Sequence, residues 1–366
     1  MDLEGALRIG LTVNDGRIER IRITSTRPDV ARSLLQGRSR AEIQAAVPLL
    51  FSICGRSQAA ASELACAAAA GQASTPDMLT RCSAAISAEM VREGAWRTLL
   101  DWPQWIGEKP AEDAVQAARA AQVFQFAAPA DSGARAIAVA ALGMAADEWL
   151  ALRSLSELDR WIDAGETASA RFMRQVRDDD AAGASSDPGA LEVPLLDGRH
   201  HAWMVELWQA CDADPGFARH PTWHGAPAET GALARLQSDP LIGALIHRSA
   251  SRVPARFMAR LRELALLLAG RASAAVGAQA VPSGGGIAWV ENARGLLIHQ
   301  VRLEQGRAEL YRIVAPTEWN FHPDGALASA LAHAPAADLA GVTKRATRLV
   351  HSLDPCVACR VEFDDA

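Results

Sequence analysis

Two stretches of the chain, Ala136 to Ala164 and Leu233 to Ala269, are rich in Ala, Leu, Arg and Glu, with apolar residues recurring at helical spacing. A pattern of that period does not suit a strand, so the bulk of the chain is expected to form a helical bundle. Strand signals lie outside these stretches. From Ala6 to Ile23, the residues Leu7, Ile9, Leu11 and Val13 alternate with small or polar neighbours. Asn14-Asp15-Gly16 then intervenes and Ile21 and Ile23 resume the alternation, which reads as a hairpin with a tight turn. A second hairpin runs from Ile298 to Leu303, turns at Gln305-Gly306 and returns from Ala308 to Val314. The two hairpins are expected to share one small sheet, and the fold class is mainly α with a small β-sheet (α+β).

The segments Asp178 to Gly189 (DDDAAGASSDPG) and Pro282 to Gly286 (PSGGG) hold turn formers without an apolar period. Mobile loops are therefore expected at about 178–198 and 276–288. They read as excursions from a single domain spanning residues 1–366.

Charge narrows the function classes. The 37 basic and 43 acidic residues are interspersed, for a net charge of -6, so no nucleic-acid surface is expected. The N-terminus has no basic flank or apolar core of signal-peptide kind, and apolar runs such as Ile137 to Met144 fall far short of the ~20 residues of a membrane span. A cytoplasmic protein is expected. In such a compartment the 6 cysteines stay reduced. Cys66, Cys82 and Cys211 stand alone in apolar or helical context and read as small buried hydrophobes. Trp96, Trp102 and Trp105 read as core packing.

Cys356 and Cys359 form a CxxC near the C-terminus, in RLVHSLDPCVACRVEFDDA. Two thiolates on one turn are soft donors that select zinc, copper(I) or low-spin iron. No second CxxC exists to complete a four-cysteine zinc site, and no strand is expected before this one as a thioredoxin-like motif needs.

The longer string Asp354-Pro355-Cys356-Val357-Ala358-Cys359 resembles the DPCxxCxxH signature that closes nickel-iron hydrogenase large subunits. Other motifs follow in the same order. Phe51-Ser52-Ile53-Cys54-Gly55-Arg56-Ser57 is similar to RICGVC, and Leu34 to Arg38 to the leucine and Gly-Arg stretch before it. The segment His224 to Arg235 resembles GxPxExGPLAR, Glu291 to Gly295 resembles EAPRG, and Ala315 to Phe321 resembles VPTTWNF.

The departures carry as much information as the matches. In the catalytic family, four cysteines bind nickel and two of them bridge to an iron bearing cyanide and carbon monoxide. Here Ser57 stands where the resemblance places the second cysteine of the first pair, and a hydroxyl is a poor soft-metal donor. Arg32 or Val30 falls where the proton-relay Glu would stand, Ala59 to Ala61 replace the histidine after the first pair, and Glu362 replaces the final histidine. Only Phe363 to Ala366 follow, so no tail for proteolytic processing is expected.

What the resemblance retains is an iron site. It implies Cys54, Cys356 and Cys359 as metal ligands, with Arg294, Pro316 and Thr317 around the diatomic ligands. The pattern resembles the HupK/HoxV-type assembly proteins, which implies a non-catalytic scaffold. Such a scaffold holds iron with its cyanide and carbon monoxide, but no nickel. It takes this fragment from a small maturation chaperone and passes it to a hydrogenase large-subunit precursor. The competing readings are a divergent hydrogenase, a metal-free relative of the fold, and zinc at the CxxC.

Overall fold

The computed structural model describes residues 5–26, 31–51, 53–122, 132–182, 193–199, 201–282 and 284–364. The chain divides into two compact units, Met1–Cys82 with Ser186–Gly231 and Ala275–Ala366, and Ser83–Ser185 with Ala232–Ala274.

The first unit holds both sheets. Strands β1 (Ala6–Asn14) and β2 (Arg17–Ser25) pair antiparallel, and the turn places Asp15 and Gly16 at φ +48° and +69°. That left-handed pair matches the twist of a two-residue hairpin, which is why Asn-Asp-Gly works here. Leu7, Ile9 and Leu11 point to the buried face. The other neighbour of β1 comes from the far end of the chain, where β7 (Ala358–Phe363) pairs with it in parallel and sets Leu7 opposite Cys359. Beyond β7, the Asp364 carboxylate crosses over Gly10, whose missing Cβ leaves it room, and meets the Arg22 guanidinium at 2.8 Å.

The second sheet runs β3 (Val276–Val281), β4 (Gly285–Asn292), β5 (Gly295–Glu304) and β6 (Arg307–Val314), all antiparallel neighbours. The two hairpins recognised in sequence therefore lie in separate sheets. Residues 276–288, expected to be a mobile loop, are largely the β3–β4 pair; every residue of β4 for which burial is described is buried. The small-residue helix Gly55–Ala69 covers one side of this sheet, lying close enough to Gly286 that a Cβ there would overlap the backbone of Ala65 and Ala69. Trp203, Met204, Leu207, Trp208 and Trp319 pack with Ile287, Trp289, Leu296 and Ile298 in a core cluster. A strand buried on both faces shows no apolar-polar alternation, so the glycines dominated its reading.

The second unit is helical. Its main helices include Ser132–Leu142, Leu155–Ala164, Ala168–Ala182, Pro240–Arg248 and Val253–Leu268. Ser154 and Glu157 form a capping box at one start, and Gly165 at φ +64° closes the same helix. Trp102 stacks on Phe172 at 4.6 Å and meets the edge-on ring of Phe257 at 5.7 Å, as core packing requires. Trp96, by contrast, is 39% exposed at the end of its helix. Asp178 to Ala182 continue a helix where a loop was expected, because Asp180 accepts hydrogen bonds from Ala250 N–H and Ser251 Oγ. Residues 183–192 of that expected loop lie outside the described residues.

Gly243 sits inside the Pro240–Arg248 helix, and an added Cβ would meet only Gln237 O at an ordinary 3.6 Å. Gly243→Ala should therefore raise stability by about 0.5–1 kcal/mol through lost unfolded-state freedom. A urea midpoint that falls instead of rising contradicts this packing.

Candidate functional site

The helix Leu339–Leu353 stops at Asp354, whose left-handed conformation (φ +51°) turns the chain toward Cys356. Cys356 is half-buried, and its Sγ lies 3.1 Å from Thr317 Oγ1. Thr317 is held by the helix Pro316–Asn320, where Pro316 takes the first position, the place where a missing N–H costs nothing. Pro316 and Thr317 are both buried.

Arg294 occupies the turn between β4 and β5. Asn292 Oδ1 accepts from the N–H groups of Arg294 (2.9 Å) and Gly295 (3.1 Å) and shapes that turn. The Arg294 guanidinium is buried and its Nε lies 3.9 Å from Asp354 Oδ2. The motif residues Arg294 and Thr317, distant in sequence, thus both reach the Asp354–Cys356 corner. Asp354 was noticed only as a motif letter, yet it joins the helix end to Arg294.

Cys54 belongs to a different element. It caps the start of the helix Gly55–Ala69, with Gln58 Nε2 3.7 Å from its Sγ and Ser57 fully buried in the first turn. Cys359 lies on β7 in register with Leu7, and burial pushes its thiol up to about 12, against a weaker opposing hydrogen bond from the Arg360 backbone. It is therefore a protonated thiol at neutral pH, and a metal captured there must displace the proton. Glu362 is exposed on the same strand. Among the described residues, no group of three or more His, Cys, Asp or Glu side chains is arranged to hold a metal ion, so the three thiols do not form a closed cage.

Sequence reading missed His299. On β5 it is fully buried, with Nδ1 2.8 Å from Tyr311 Oη and Nε2 2.8 Å from Gln58 Oε1. Burial holds its pKa down at about 3. The folded protein keeps this imidazole neutral while the unfolded chain takes up a proton below pH ~6.5. The stability associated with His299 is therefore present above pH ~6.5 and lost as pH falls toward 3, at about 1.4 kcal/mol per unit. Comparing urea unfolding at several pH values should show that His299→Gln has a shallower acid-side slope than the wild type. Equal slopes contradict a neutral buried His299.

The chain is similar to known proteins in both sequence and fold. A nickel-dependent hydrogenase profile matches residues 271–362. The fold matches a reduced, active form of the nickel-iron-selenium hydrogenase from Desulfomicrobium baculatum with a TM-score of 0.59 at 14% identity, covering 94% of this chain and 95% of that one. The architecture is that of a nickel-iron hydrogenase large subunit. The chain is also 33% identical to the hydrogenase expression/formation protein HoxV of Cupriavidus necator, over 99% of this chain and 97% of that protein. It is 31% identical to the hydrogenase expression/formation protein HupK of Rhizobium leguminosarum bv. viciae, over 99% and 97%. The chain belongs to this HoxV/HupK family of hydrogenase expression/formation proteins. No helix among the described residues is long and apolar enough to cross a membrane.

Proposed function

We propose that the chain is a cytoplasmic maturation scaffold whose cargo is iron carrying cyanide and carbon monoxide. It receives the cargo from a small maturation chaperone and yields it to a hydrogenase large-subunit precursor. The observation that carries this reading is the corner where the Cys356 thiol meets the Thr317 hydroxyl at 3.1 Å beside the buried Arg294 and Asp354. Thiolates are soft donors suited to low-spin iron. Cyanide nitrogen accepts hydrogen bonds well, so a guanidinium and a hydroxyl beside the sulfur orient the fragment while Pro316 walls it in.

A transfer site must bind without trapping. Ser57 leaves the first motif one thiol short of a nickel cage, so fewer soft donors would hold the cargo than a four-thiolate site provides. Ligand exchange at Cys54, Cys356 and Cys359 then moves the fragment without chemistry on it, which makes the chain a carrier and not a catalyst.

Mixing the chain, loaded with isotopically labelled iron, with a large-subunit precursor tests the role. Label should move to the precursor, and Cys356→Ala, purified from the same host, should carry at least about tenfold less iron, since one lost thiolate removes several kcal/mol of metal binding. Label that stays on the loaded chain contradicts transfer.

A further inference from the structure

Beneath Cys54 the first unit buries a polar chain that iron handling alone does not explain. Tyr311 on β6, His299 on β5 and Gln58 on the Gly55–Ala69 helix are all buried. Tyr311 Oη, His299 and Gln58 follow one another at 2.8 Å, and Gln58 Nε2 ends 3.7 Å from Cys54 Sγ, within reach of an N–H···S hydrogen bond.

Bonding logic sets the direction of this chain. A neutral imidazole has one N–H and one lone pair. Gln58 turns Oε1 toward His299, and an amide oxygen can only accept, which leaves Nδ1 to accept from the Tyr311 hydroxyl. The imidazole proton then sits on Nε2 and donates to Gln58 Oε1. With its carbonyl taken on that side, the amide presents its NH2 to the sulfur. Were the imidazole reversed, with its proton on Nδ1, Nε2 would accept from the amide and the carbonyl would face Cys54 instead.

We propose that Tyr311 and His299 are positioning residues for Cys54, locking the Gln58 amide so that its NH2 donates to the Cys54 sulfur. The purpose rests on the reading of Cys54 as an iron ligand; the geometry does not. A hydrogen bond to a ligand sulfur draws electron density from it and weakens its bond to a metal. This keeps Cys54 a ligand that lets go, as a transfer site needs.

The test follows alkylation of Cys54 by iodoacetamide in the unloaded full-length chain at one fixed neutral pH, resolved by peptide mass spectrometry. The thiolate is the reacting species, and a donor at the sulfur favours it. Gln58→Leu, His299→Leu and Tyr311→Phe should each slow Cys54 by about three- to tenfold, the size of one net hydrogen bond. His299→Gln, which keeps an amide donor near the Nε2 position, should restore most of the rate. A merely structural role gives no such rescue, and the Cys356 rate in the same digests should stay constant.

If His299→Leu does not fold, Gln58→Leu and Tyr311→Phe carry the test. An unchanged Cys54 rate in folded Tyr311→Phe or Gln58→Leu overturns the proposal, as does His299→Gln reacting as slowly as His299→Leu. Because no iron is involved, a chain that never acquires iron refutes the carrier reading and leaves this result standing, while an unslowed Cys54 refutes only the positioning.

Discussion

Gly286→Ala should lower the stability of the first unit by about 3 kcal/mol, the upper end of the range for overpacked cores. The added Cβ would overlap backbone atoms of Ala65 and Ala69, and backbone cannot swing aside as a flexible side chain can. The helix Gly55–Ala69 would have to lift from β4, and its alanines, buried against the sheet, would lose contact. Urea unfolding should show a lower midpoint with an unchanged slope. A midpoint equal to that of the wild type contradicts the close approach.

Arg294→Leu should cost about 3 kcal/mol, because it removes the cation beside the buried Asp354 carboxylate. The side chains are only 4% and 9% exposed, so solvent does little to screen the loss. Adding Asp354→Asn should return more than half of that loss, since the remaining neutral amide no longer needs a cation. A double-mutant cycle measures this coupling, and strictly additive losses contradict a direct Arg294–Asp354 interaction. On the proposed carrier role, the same Arg294→Leu variant should also retain less iron, since leucine offers cyanide no hydrogen bond.

The parts of the fold that were legible in sequence are those with strong local rules. Asn14-Asp15-Gly16 and Gln305-Gly306 put consecutive residues into left-handed backbone, and both hairpins lie where those turns place them. β4 was not legible, because burial on both faces removes the alternation that marks a strand and the glycines at its start imitate a loop. β7 was missed for a different reason: a short, mostly exposed strand at the chain end is specified by its partner β1, more than 300 residues earlier.

The candidate site divides in the same way. Motif order brought Arg294, Thr317 and Cys356 together on paper, and in space Thr317 touches Cys356 while Arg294 reaches Asp354. The link between His299 and Gln58 spans 241 residues and has no local signature, since a lone histidine in an apolar strand reads as ordinary core. Separation in sequence hid it.

Infrared spectroscopy of the anaerobically purified chain, from a host expressing the maturation machinery, tests the carrier account most directly. Bands of metal-bound cyanide and carbon monoxide should be present in the wild type and erased in Cys54→Ala and Cys356→Ala. A folded wild-type chain from that host without those bands, or bands that persist in both variants, contradicts it.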